Sequence, residues 1–146
     1  MFVALLLPQA VGLVGGLVTA PAVRQWYQFL HKPAFNPPDG VFAPVWFVLY
    51  ILMGWASFLV WTRAARPFLF RLYLVHLAVN LLWSVLFFGL HSPGLAFLDI
   101  VVLWGMVTAM LILFRSVSRL AALLLVPYWC WVSFAAALNL AVWRLN

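Results

Sequence analysis

The side chains able to do chemistry in this chain are mostly aromatic rings and amides, set at helical spacing inside apolar segments. Trp46 and Tyr50 are four apart. Asn80, Trp83, Ser84 and Phe87 share one helical face, and Trp131, Ala135 and Leu138 form another stripe, with Asn139 slightly off its axis. Such groups stack on flat rings and supply single hydrogen bonds, the usual composition of a pocket for an apolar, planar molecule. They do not suit hydrolysis: no acid–base pair, thiolate–imidazole pair or Cys/His metal cluster can be assembled. His31 and His91 read as loop residues and His76 as packed within a span, so no metal site is expected. The single cysteine, Cys130, lies in an apolar run and has no partner for a disulfide. Asp99 is the one acid within an apolar segment. An intramembrane carboxylate is either functional or a structural tie between helices, and the sequence leaves both readings open.

The elements that must position these residues follow from composition. Of 146 residues, 68% are hydrophobic and 7% charged, far from the balance of a water-soluble domain. The net charge of +6 comes from arginines and a lysine at the ends of apolar runs, which is a membrane-anchoring pattern and not a nucleic-acid surface. Five runs approach the length of a span, about 3–19, 44–61, 67–90, 94–114 and 120–143. All are expected to be helices, giving an all-α, integral membrane bundle in one domain, 1–146. The first run is read as a retained span, although Thr19-Ala20-Pro21-Ala22 faintly resembles a signal cleavage site. Short connections predict that sequential helices pack as antiparallel neighbours. The connection 20–43 is different. Its prolines, Pro33, Pro37 and Pro38, forbid one continuous helix, while Trp26, Lys32 and their neighbours are too apolar for a loose tether. It is expected to be a structured lid over one end of the bundle. Antiparallel threading then brings Trp46, Tyr50, Asn80, Trp83, Asp99, Trp131, Ala135, Leu138 and Asn139 into the half of the bundle beneath that lid. Arg63, Arg66, Arg71, Arg115 and Arg119 fall at the other end with the N-terminus, which is expected to face the cytoplasm. Gly12 to Gly16 and the pair Gly105 and Ala109 are small-residue motifs that serve equally for packing within one chain or between two.

With these residues in hand, the chain resembles the TspO/translocator protein family, also called tryptophan-rich sensory proteins or peripheral benzodiazepine receptors. The resemblance rests on Trp26-Tyr27 with Leu30, Lys32-Pro33 and Pro37-Pro38; on Pro44, Trp46, Leu49 and Tyr50; on Asn80, Trp83 and Ser84 with Phe87-Phe88-Gly89; on Asp99; and on Pro127-Tyr128, Trp131, Ala135 and Leu138-Asn139. These occur in order over nearly the whole chain. The resemblance implies a homodimeric bundle with a cavity under the first loop that binds porphyrins such as protoporphyrin IX, and isoquinoline carboxamide or benzodiazepine ligands. Positions implied to touch ligand are Trp46, Tyr50, Asn80, Trp83, Trp131, Ala135 and Leu138. No cofactor is required, and the porphyrin is a ligand. Two departures stand out. Leu95 takes a place where many members carry tryptophan, which makes that wall aliphatic. The sterol-associated motif of animal members lacks its tyrosine here, where the run from Leu138 to Arg144 carries Leu140, so sterol binding is not supported.

The first expected function is therefore that of a membrane receptor or carrier of tetrapyrroles, with Lys32 and Arg24 either meeting propionates or serving as solvated charges that anchor the chain at the interface. The second is light-dependent porphyrin degradation, in which Trp46 and Trp131 would take part. The third is a small multidrug exporter, which is disfavoured because Asp99 stands alone.

Overall fold

The computed structural model describes residues 2–146. Helix α1 covers Phe2–Gln25, α2 Phe42–Ala64, α3 Pro67–Ser84, α4 Pro93–Val117 and α5 Arg119–Leu145. All five are long and apolar enough to cross a membrane. Large apolar side chains lie open around the bundle, Leu13 and Leu17 on α1, Ile112 on α4 and Leu123 on α5 among them, each more than 60% exposed. A surface of that kind is stable only with hydrocarbon as its solvent. The protein is a multi-pass integral membrane protein.

Helix α1 runs beyond the expected boundary, through Pro21 to Gln25, and so the lid shortens to the segment between Gln25 and Phe42. Prolines are tolerated in membrane helices where neighbours satisfy the carbonyls they free. Pro8 removes the donor that would reach Ala4, and the Tyr73 hydroxyl donates to the Ala4 carbonyl instead, at 3.4 Å. Two residues before Pro21, the Thr19 hydroxyl donates back to the Gly15 carbonyl of its own helix at 2.8 Å, which leaves the Leu17 carbonyl that Pro21 frees unaffected. The third span also departs from a plain helix. From Val85 to Gly89 it widens into a π-helical turn, closed by Leu90 N–H on the Val85 carbonyl at 2.8 Å.

The helices close into a ring in the order α1, α2, α5, α4, α3 and back to α1. This corrects the expectation that every sequential pair would be neighbours, since α2 and α3 approach each other little despite a connection of only Ala65 and Arg66. The reason is the slimness of α1, which wedges between them. On one side Gly54 of α2 lets the α1 backbone come close: a Cβ there would sit 3.1 Å from the Ala4 carbonyl oxygen and 3.2 Å from Leu5 Cα. On the other, Gly15 faces Ser84 and Leu81 of α3. Gly12 lies under the Tyr50 ring, so close that an added methyl would collide with it. The small residues of α1 thus serve the interior of one chain, whereas Gly16 and Gly105 face open space.

Candidate functional site beneath the lid

The ring order sets α2, α3 and α5 around a shared interior, and their polar side chains meet there in one chain of hydrogen bonds. The Tyr50 hydroxyl donates to Asn80 Oδ1 at 2.8 Å, and Asn80 Nδ2 donates to the Tyr128 hydroxyl at 3.0 Å. Having accepted that proton, Tyr128 directs its own to His76 Nε2, 2.8 Å away. That leaves His76 Nδ1 to donate to the Tyr73 carbonyl, at 3.3 Å. Every donor points the same way along the series, and Tyr50, Asn80, Tyr128, His76 and Tyr73 are all buried. Satisfied networks of this kind fix a single packing, because an unpaired member in a dry interior is costly.

Trp46 lies on this network, stacked on Tyr50 with ring centroids 5.5 Å apart and edge-on to Tyr128 at 6.2 Å. Ala135 of α5 belongs to the same apolar cluster. Nearer the lid, Trp83 Nε1 donates to Asn139 Oδ1 at 2.9 Å, and Asn139 Nδ2 donates to the Pro93 carbonyl at 2.7 Å. Asn139 therefore ties α3, α5 and α4 together. Trp83 packs against both apolar clusters and stacks on Phe87 at 5.3 Å, while Leu138 lies buried in the upper cluster with Phe87 and Tyr27. The π-helical turn presents Phe87 and Phe88 to this upper layer, since a π turn rotates the residues after it off the regular helical face.

Trp131 completes the wall. It sits between Phe42, 5.9 Å away, and Phe134, 5.5 Å away. Its buried indole N–H has no partner. Asp99, buried on α4, likewise has one carboxyl oxygen with no partner. The acid is thus no structural tie of the kind Asn139 provides, at least among the described residues.

The lid is a folded piece. Tyr27 is buried, its hydroxyl donating to Asn36 Oδ1 at 2.9 Å, and the Lys32 ammonium rests 4.6 Å over its ring. Trp26 stacks on His91 at 4.4 Å and meets Phe87 edge-on at 5.7 Å. Pro33 accepts from Asn36 N–H at 3.0 Å, closing the turn that leads to Pro37 and Pro38. At the far side, Asn146 clamps the His31 backbone, accepting from its N–H at 3.0 Å and donating to its carbonyl at 2.9 Å. Burial pushes the Tyr27 phenol up to about 12, the Asp39 carboxylate adds to the rise, and the bond to Asn36 opposes it.

The sequence-predicted residues therefore come together in two tiers. Trp46, Tyr50, Asn80 and Ala135 form the lower one, and Trp83, Leu138 and Asn139 the upper, with Trp131 at the lid wall. One expectation needs correcting. In place of an open hollow, these side chains close on one another, and Tyr50, Ala135 and Leu138 are each less than 10% exposed. Two members were not singled out from residue pattern as site residues: Tyr128, the hub of the network, and His76, its end. Tyr128 lies one turn before Trp131 and Val132 on the inner side of α5, and that spacing is the signal that could have found it.

The profile of the TspO/MBR family matches residues 4–144. The tryptophan-rich protein TspO of Chlorobaculum tepidum is 43% identical, over 94% of this chain and 89% of that protein. The translocator protein of Homo sapiens is 40% identical, over 84% and 75%. Protein CrtK of Rhodobacter capsulatus is 43% identical, over 90% and 83%. With that profile matched over nearly the whole chain and relatives at 40–43% identity, the chain belongs to the TspO/MBR family.

Proposed function

We propose that this protein binds porphyrins of the protoporphyrin IX class, and isoquinoline or benzodiazepine-type compounds, between its lid and the aromatic tiers of α2, α3 and α5. Family membership supports the coarser role, a membrane receptor or transporter. The observation that carries the finer reading is the unpaired, buried indole N–H of Trp131, set in a wall of aromatic rings under the lid. A buried donor without an acceptor is a cost that a ligand acceptor removes. The surrounding rings supply stacking surface for a flat macrocycle. Arg24 at the end of α1 gives a propionate a cation at the membrane surface, as does Lys32 once a ligand draws it from Tyr27.

The test is a titration of purified protein with protoporphyrin IX, followed by quenching of tryptophan fluorescence. Trp131→Phe keeps the ring and loses the donor, and weakens binding by roughly five- to tenfold, the value of one hydrogen bond. Trp46→Ala weakens it further. Affinity unchanged in both variants refutes the site. Illuminating the complex in air separates binding alone from light-dependent degradation: only the latter bleaches the porphyrin faster than in a protein-free control, with slowing in Trp46→Phe.

A further inference from the structure

At the end of the bundle away from the lid, the last turns of α4 and the first turns of α5 border a groove of about 490 Å3. Its walls are apolar, formed by Leu111 and Ile112 on one side and Ala122, Leu123 and Val126 on the other. Its mouth carries Arg115 and Arg119, both exposed. These two arginines close α4 and open α5, so they lie at the membrane surface while the apolar walls run inward.

No acidic side chain lies at their end of the bundle. The protein has two acids, Asp39 in the lid region and Asp99 in the lid half of α4. Neither arginine has a hydrogen-bond or ion-pair partner among the described residues. The nearby Ser118 hydroxyl is already taken: it accepts from Arg63 Nη1 at 2.7 Å and from Ala121 N–H at 3.2 Å. Two guanidinium groups beside an apolar channel present the chemistry of a phosphate ester carrying an acyl chain, since guanidinium forks pair with phosphate oxygens and the channel offers nothing polar to the rest of the molecule. Arg66, at the same end, makes the contrast. The hollow it lines with Ser57, Trp61 and Phe70 has room of only about 10 Å3, enough for a water and not for a chain.

We propose that the α4–α5 groove binds one anionic phospholipid, its phosphate held between Arg115 and Arg119 and an acyl chain lying along Ile112, Leu123 and Val126. This site is at the opposite membrane face from the lid and independent of porphyrin binding.

The experiment is native mass spectrometry of the full chain, delipidated in detergent and titrated with phosphatidylglycerol or phosphatidylcholine. One phosphatidylglycerol adduct saturates first, and phosphatidylcholine does not match it. Arg115→Gln and Arg119→Gln each weaken that adduct about fivefold, and the double variant about twentyfold. Leu123→Trp fills the channel, keeps both charges and also weakens it. Arg66→Gln with Arg71→Gln leaves it unchanged. The proposal falls if phosphatidylcholine binds equally, if the Arg66 and Arg71 variants lose as much, or if Leu123→Trp has no effect. It falls too if inorganic phosphate at millimolar concentration displaces the adduct completely, which leaves an anion site without a lipid. Loss of a dimer in the double variant, with lipid retention unchanged, assigns the groove to a second copy and likewise overturns it.

Discussion

The two ends of this bundle are built on opposite principles. The lid end places amides, indoles and phenols inside and pairs nearly all of them with each other: Tyr50 with Asn80, Asn80 with Tyr128, Trp83 with Asn139. The opposite end keeps its charges outside, as Arg66, Arg71, Arg115 and Arg119 at the surface, and buries only small hydroxyls such as Ser57 and Ser118 among apolar side chains such as Phe114, Ala121 and Leu125. Shape alone would be served by apolar packing at both ends. The internal polar network is therefore the feature that asks for a purpose, and it stands where the unpaired Trp131 donor also stands.

That contrast can be broken or sharpened by substitution. The largest effect is expected for Asn80→Leu, which strands the Tyr50 and Tyr128 hydroxyls in a dry interior. It should lower stability by about 3 kcal/mol, read as a fall in Tm of the detergent-solubilised protein. A stability unchanged by Asn80→Leu would mean that water reaches the network. Gly54→Val comes next. It forces α1 off α2 against backbone atoms that cannot yield, at a cost of about 2 kcal/mol, and proteolysis of α1 should quicken accordingly. A smaller, local effect belongs to the lid. The Tyr27 phenol is raised from its ordinary 10.0 to about 12, so the neutral form is favoured in the fold. The lid's hold is fully present below pH 10 and is lost as pH rises through 12. The environment of Trp26 should change over that window, and Tyr27→Phe should remove the transition. Smallest of all is Arg71→Gln at the opposite end, expected to alter stability by less than about 0.5 kcal/mol. A large loss there would show that the arginine end also carries internal structure.

Much of the fold was legible because apolar length and helix-ending residues act locally. The five spans, the lid and the shared faces of Trp46 with Tyr50 and of Asn80 with Trp83 all follow from period and punctuation. The ring order did not. A short connection argues for adjacency, but whether α1 can slip between α2 and α3 depends on the fit of Gly54 to the Ala4 and Leu5 backbone, a contact across the sequence that no local pattern announces. The first span is expected to end near Thr19, whereas α1 runs on through Pro21 to Gln25, an extension that a membrane helix tolerates. The π-helical turn at Val85–Gly89 and the role of Tyr128 as hub were hidden for a related reason: each is fixed by what other helices present to it.

The one-way run of donors from Tyr50 to the Tyr73 carbonyl has a consequence for anything that lodges nearby. With the Tyr128 hydroxyl donating to His76 Nε2 and His76 Nδ1 donating to the Tyr73 carbonyl, the groups along this series are already paired with one another. An amphiphile with acidic arms gains nothing by burying them there. In the binding mode proposed above, it enters ring first and leaves its carboxylates at the rim, so the floor, without touching the ligand's acids, sets which way up such a guest sits.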